Sequence, residues 1–371
     1  MLRRIFAAAV LLAALGSAPA HAAAREVPRG WLGMDADGPL MEGDYGTTPE
    51  DEWDLLAGSG AESVRMAVRW PVLQPRAGRA PDLTRVDALV LSAARRGLRF
   101  LPVVHGTPRW AARNPSKGHA SPPKKISTYT RLLRTLIRRY GPRGTLWREH
   151  PEVRALPIRD WQIWNEPNFR DFWSKQPFPK TFVPLLRAAY RTVHRADRGA
   201  RVILAGMANH SWAGLERLYR GGGRGYFDAV ALHPFTMKPE NVIRLIEMAR
   251  DVMARHGDGR VPIWVTELAF PAAKGKVDEP RGLETTQAGQ VKRLREALLR
   301  LAAQRKRLKI ERVFWYAWLT YETRTSSFSW SGLRRFRNGE VVSSSAHEAY
   351  QRVARKLNGC AKAPGNARRC R

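Results

Sequence analysis

Eight short apolar runs, separated by amphipathic stretches, constrain the fold of this chain more than any other feature. They are Trp31–Asp35, Ser63–Arg69, Arg99–Val104, Trp161–Trp164, Arg201–Ala205, Ala229–Leu232, Ile263–Thr266 and Val313–Trp318. Most are rich in Val, Ile, Leu or aromatic residues and lack the alternation of a sheet with one wet face, so they read as buried parallel strands. Helical stretches lie between them: Leu83–Arg96, Tyr129–Tyr140, Pro184–Ala196, Val242–Arg255 and Thr286–Arg305. A further helix begins at Thr48-Pro49-Glu50-Asp51, where Thr48 can cap, Pro49 suits the first turn and the acids suit the helix dipole. Strands alternating with helices predict an α/β fold. A count of eight predicts a single closed (β/α)8, or TIM, barrel, for which 371 residues is an ordinary length. No glycine-rich phosphate loop follows the first strand, as a dinucleotide-binding fold would require.

The ends of the chain read differently. Arg3 and Arg4 precede an apolar run from Ile5 to Leu15, and Ala20-His21-Ala22 and Ala22-Ala23-Ala24 offer small-residue cleavage sites. Residues 1–24 therefore read as a secretory signal, too short to span a membrane. Residues 25–355 are expected to form the barrel, and 356–371 a basic tail. The only cysteines, Cys360 and Cys370, fall at that end. In an exported protein a lone close pair favours a disulfide, and no neighbouring histidine suggests a metal site. The mature protein is expected to be secreted and soluble, with no membrane span.

Charge bears on partners. The chain has a net charge of +31, with 51 arginines against 13 lysines. A field this positive favours polyanions such as an acidic polysaccharide or an anionic cell-wall polymer. Arginine-rich coding spread over solvated helix faces explains it equally well. Basic runs at Arg131–Arg143, Arg293–Arg312 and Arg334–Arg337 carry no nucleic-acid motif and no regular aromatic interleaving, so no specific nucleic-acid partner is expected.

Two glutamates end apolar runs. One lies in Trp161-Gln162-Ile163-Trp164-Asn165-Glu166-Pro167-Asn168, the other in Pro262-Ile263-Trp264-Val265-Thr266-Glu267-Leu268. The C-terminal strand ends of a (β/α)8 barrel form its active face, and two carboxyl groups meeting there are the equipment for cleaving a glycosidic bond. The polar segments Ala111 to Ser127 and Asn168 to Lys180 follow strands three and four and should overhang that face.

Ile163-Trp164-Asn165-Glu166-Pro167-Asn168 resembles the acid/base signature of the clan A retaining glycoside hydrolases built on the (β/α)8 barrel. The resemblance is nearest to the family 39-like group of β-xylosidases, iduronidases and exopolysaccharide-cleaving enzymes, and runs from about Trp31 to Arg355. It implies that Glu166 is the acid/base, Glu267 the nucleophile and Asn165 the partner of the sugar 2-OH. Arg65, in Ser63-Val64-Arg65-Met66-Ala67-Val68-Arg69, resembles the arginine that steadies the nucleophile, with Arg69 the competing choice. Trp318 resembles the tryptophan that floors the sugar site, with Trp315 its rival and barrel core the alternative for both. His105 and His233, just past strands three and six, are candidates to bind sugar hydroxyls or the carboxylates, or to be structural. Where the family often has His-Pro-Tyr at strand six, this chain has His233-Pro234-Phe235, so the strand-six tyrosine hydroxyl that could contact the nucleophile is missing. Trp173 and its neighbours Phe169, Phe172 and Phe178 read either as outer sugar subsites or as a small satellite core.

The resemblance implies hydrolysis of a poly- or oligosaccharide by double displacement, with no metal or organic cofactor. A transglycosylase would use the same residues. From the residues alone, a catalytically idle barrel that binds anionic polysaccharide or cell wall stays open.

Overall fold

A computed structural model describes residues 24–42 and 49–360. The expected signal segment, the Thr48 cap and all but the start of the basic tail lie outside the described residues. Cys370 lies there too, so its link to Cys360 stays an expectation.

The eight expected strands are all present: β1 (Leu32–Asp35), β2 (Ser63–Arg69), β3 (Arg99–His105), β4 (Asp160–Asn165), β5 (Arg201–Ala208), β6 (Val230–His233), β7 (Ile263–Leu268) and β8 (Ile310–Tyr316). They pair in parallel and in chain order, and β1 pairs with β8 to close the barrel. One long helix follows each strand: α1 (Pro49–Gly58), α2 (Thr84–Arg95), α3 (Ile126–Tyr140), α4 (Pro179–Ala196), α5 (Ser211–Arg220), α6 (Pro239–Arg255), α7 (Gln287–Leu308) and α8 (Ser345–Leu357). Among the described residues no helix is long and apolar enough to cross a membrane.

The strands are apolar on both faces because both are covered. Outward side chains meet the helices in one large core. Inward ones at the lower end form a plug of Leu101, Ile203, Ala229, Ala231, Trp264 and Phe314. The plug leaves no room beside β1: a methyl group on Gly33 would lie 2.4 Å from the Phe314 ring. Below it, at the N-terminal strand ends, Arg201 binds Asp160 and Glu311, Arg312 lies 3.1 Å from Asp160, and Trp264 donates its indole N–H to Glu311. Glu311, a rival carboxylate near strand eight, is thereby committed to closing the end away from Glu166.

Two features were not expected. The run Val313–Trp318 is not one strand: β8 stops at Tyr316, and a small sheet of β9 (Leu319–Tyr321), β10 (Arg334–Arg337) and β11 (Glu340–Ser343) follows. It is hidden in the sequence because its strands are short and, in β10 and β11, charged. Its Arg334 forms a buried ion pair with Glu52 of α1, which also accepts the Trp318 indole N–H at 3.1 Å. This layer turns the end of β8 into one wall of the barrel mouth.

Candidate active site

Glu166 and Glu267 meet at the C-terminal strand ends, where the sequence placed them. They line a cavity of about 530 Å³ with Arg65, Arg69, His105 and Asn165. Three ligand-type atoms, one each from Glu166, His233 and Glu267, all lie within 4.8 Å of one another.

Local backbone geometry lets neighbouring residues serve one site. Consecutive residues of a regular strand point to opposite faces. Asn165 and Glu166 nevertheless both line the cavity. Trp164 (φ 72°) and Glu166 (φ 39°) adopt left-handed backbone, uncommon outside glycine and concentrated where function demands it. The Glu166 N–H is held by the Gly206 carbonyl at 3.0 Å, and the Trp164 indole donates to the Phe172 carbonyl at 2.7 Å. The turn is thus fixed from both sides.

Arg65 organises the surroundings of Glu267. It is 2% exposed and uses its whole fork. Nε donates to Gln162 (3.0 Å), Nη2 donates to Asn165 (2.9 Å), and Nη1 donates to Asp35 and lies 2.8 Å from Glu267 Oε1. A planar guanidinium can hold four groups at once, which a lysine cannot. Burial works against its charge, but Glu267, Asp35 and Asp37 together hold its pKa above the ordinary value. Asp35 is fully buried and its pKa is pushed well up, first by that burial and then by Asp37, with Arg65 opposing. Arg69 also lines the cavity, but at its exposed rim, so Arg65 is the arginine that holds Glu267.

The two carboxyl groups sit in different fields. Burial pushes Glu166 up to about 7, with only the Arg65 charge pulling against it. Burial raises Glu267 as well, but His233 and Arg65 pull it back. Arg65 is in contact with Glu267 and not with Glu166, which favours the carboxylate form at Glu267. His233 Nδ1 lies 2.6 Å from Glu166 Oε1, and Nε2 lies 3.5 Å from Glu267 Oε1. Burial lowers the His233 pKa to about 4, so the ring is neutral at pH 7 and has one N–H. Carried on Nδ1, that hydrogen is donated to Oε1 and leaves Oε2 of Glu166 to hold a proton. Gly206 makes room for this ring: a methyl group there would lie 2.0 Å from Nε2. His105 is neutral for the same reason as His233, its pKa lowered to about 3 by burial and by Arg69 and Arg65. The Glu166–His233–Glu267 cluster has metal-ligand chemistry, but the Arg65 guanidinium already occupies Glu267 and a cation beside it would be repelled.

The expected aromatic contacts are not all in the cavity. Trp318 is fully buried and, like Trp315, does not line it; Trp315 donates its indole N–H to the Ser331 carbonyl. The cavity ring from the end of β8 is Tyr316, packed edge-on to Phe328 and Phe235. Its phenol is kept protonated by burial and by the nearby Glu267, Asp35 and Asp37. Trp173 is also buried, donating to Thr181 and packing edge-on to Trp164 and Phe182. It supports the Glu166 turn from behind, as the satellite-core reading required, while Phe172 reaches the cavity. Sequence reasoning also missed Asp35 and Asp37. Asp35 ends a predicted strand in the same way as the two glutamates, and that position was the available signal.

No protein-family model matches the sequence, and no curated protein matches it. Solved structures do. A family 39 glycoside hydrolase from the gut symbiont Bacteroides cellulosilyticus WH2 superposes with a TM-score of 0.66 at 17% identity, covering 90% of this chain and 64% of that one. A monomeric β-xylosidase from Caulobacter crescentus CB15 gives 0.59 at 17% identity, over 88% of this chain and 68% of that one. The GH5_18 protein of Streptomyces cattleya gives 0.62 at 15% identity, over 91% and 82%. This chain therefore spans just under two thirds of the length of the first. What is shared is the fold, a closed (β/α)8 barrel.

Proposed function

We propose that the protein is a retaining glycosidase acting on a poly- or oligosaccharide outside the cytoplasm. One observation carries the reading: two strand-end carboxyl groups approach within 4.8 Å, and only Glu267 has the Arg65 guanidinium in contact. Retaining enzymes keep the pair about 5–5.5 Å apart, and inverting ones leave room for a water between them. Glu166 Oε2–H protonates the glycosidic oxygen as the Glu267 carboxylate attacks the anomeric carbon and the C–O bond breaks. Glu166, now a carboxylate accepting from His233, takes a proton from water. That water attacks the same carbon and releases Glu267. In this reading Asn165, which Arg65 holds, meets the sugar 2-OH.

The glycosidase reading agrees with the activities named for similar folds, a β-xylosidase and an exo-β-1,4-mannosidase among them. Arg69 and Arg281 reach the cavity with no ion-pair partner among the described residues, which supports an acidic substrate. Incubation with a 2-deoxy-2-fluoro glycoside, followed by peptide mass mapping, tests the mechanism. An adduct on Glu267 is expected; an inverted anomer as first product by NMR would replace the mechanism with single displacement.

A further inference from the structure

A hollow of about 930 Å³ lies between α3, the short helical turn Thr145–Glu149 and the end of α4. Barrel helices run against the strands, so the C-terminal ends of α3 and α4 lie at the end of the barrel away from Glu166. Six arginines line it: Arg134, Arg138, Arg143, Arg148, Arg195 and Arg198. All six are exposed and none has an ion-pair or hydrogen-bond partner among the described residues. The one acid in the lining, Asp197, is committed elsewhere, to the Gly199 N–H and to Arg159 at 3.6 Å. Arg139, on the same helix, shows the ordinary alternative, since it is satisfied by Asp87 and Glu149.

Helix C-termini favour a basic residue in the last turn, which accounts for Arg138 and Arg195. It does not account for Arg134, Arg143, Arg148 and Arg198 around the same hollow. Six like charges repel one another, and a counter-anion would relieve that repulsion. Guanidinium forks match planar or tetrahedral oxyanions bidentately, where lysines act as point charges. A second hollow of about 410 Å³ shares Arg195 and Arg198 with the first and includes the half-buried Tyr190, whose ring lies 4.3 Å from that of His194 at a tilt of 50°. A ring beside several guanidinium groups suits a sugar chain that carries oxyanions.

We propose that this cleft is a binding site for an acidic polysaccharide, separate from the catalytic cavity, that anchors the protein to carboxylated or sulfated chains. The site does not depend on the catalytic reading.

The test is titration of the full chain with polygalacturonate, heparin, a neutral glucan and duplex DNA at fixed salt. The variant Arg134→Ser/Arg143→Ser/Arg148→Ser/Arg198→Ser removes four charges from the cleft. A control, Arg260→Ser/Lys292→Ser/Arg295→Ser/Arg300→Ser, removes four from exposed positions elsewhere. The cleft variant should bind one or both acidic polysaccharides at least tenfold more weakly with Tm unchanged or raised. The control should lose less than threefold, and the glucan should not bind. Equal losses in the two variants would show that net charge alone is felt and overturn the site. DNA binding as tight as the polysaccharides, with the same dependence on the four arginines, would overturn the assignment to a glycan.

Discussion

At the mouth of the barrel, Asp35, Arg65, Glu166 and Glu267 are each less than a tenth exposed, and each is held by a neighbour. In the cleft between α3 and α4, six arginines stand exposed with no partner among the described residues. The difference is between charges held by partners and charges that have none among the described residues. Bond cleavage needs groups held to fractions of an ångström in a low-dielectric setting, so that each partner's field is felt in full. Retention of a polymer needs only attraction over a broad surface, and exposed side chains supply it. If the comparison is right, substitutions at the mouth alter rate and pH dependence, and substitutions in the cleft alter retention alone.

The largest effect is expected from Glu267→Gln, which removes the attacking carboxylate while keeping its shape. Turnover of every substrate should fall on the order of 10⁴-fold or more. Near wild-type rates in a purified sample would remove Glu267 from the chemistry. Glu166→Gln should cost about 10²–10⁴-fold on substrates with poor leaving groups and much less on activated aryl glycosides. It should also abolish the alkaline limb of the pH–rate profile, expected near 7 because burial holds Glu166 there. The same shift has a sign in stability. The folded chain keeps this proton to a higher pH than the unfolded chain, so the contribution is full below about pH 4.5 and is lost as pH rises through about 7. Urea melts across that window should show Glu166→Gln losing up to about 3 kcal/mol less than the wild type. Parallel curves would mean that Glu166 titrates normally.

Arg65→Lys follows, at about 10²–10³-fold in kcat. An ammonium cannot reach Gln162, Asn165, Asp35 and Glu267 together, so Glu267 should ionise later and the acidic limb should move to higher pH. A rate loss without that movement would make Arg65 a packing residue only.

The frame of this site was legible in the sequence, and parts of its lining were not. Strands read well because burial on both faces demands continuous apolar runs, and a glutamate ending such a run has no structural reason to be there. Arg65 was found through the resemblance, which left Arg69 as its rival, and His233 because an imidazole is conspicuous at the end of an apolar strand. The wall beyond β8 was not found, because its sheet is pinned by Arg334 to Glu52, a contact 282 residues apart that no local pattern reveals. The same contact explains the tryptophans: Trp318 lies two residues past Tyr316, where the chain leaves the barrel, and its indole is bound to Glu52 instead of facing the cavity. Accordingly Trp318→Phe should cost about 1–2 kcal/mol of stability through the lost hydrogen bond, with kcat/KM within about twofold. Tyr316→Leu should do the reverse, leaving Tm nearly unchanged and lowering kcat/KM about tenfold through lost ring contact. A larger kinetic effect at Trp318 would return the floor of the site to that ring.

The smallest effect separates the two ends most cleanly. Buried charge pairs are screened little by salt, whereas exposed charges lose most of their reach once the Debye length falls to about 8 Å at physiological strength. On a small neutral aryl glycoside, which meets only the mouth, kcat/KM should change less than about twofold between 10 and 150 mM salt. Over the same range, retention on an acidic polysaccharide should fall steeply, because the arginines that grip it are exposed. Were the small substrate equally salt-sensitive, the rim arginines Arg69 and Arg281 would have to be steering it, and the mouth could no longer be described as the end where charge is fixed.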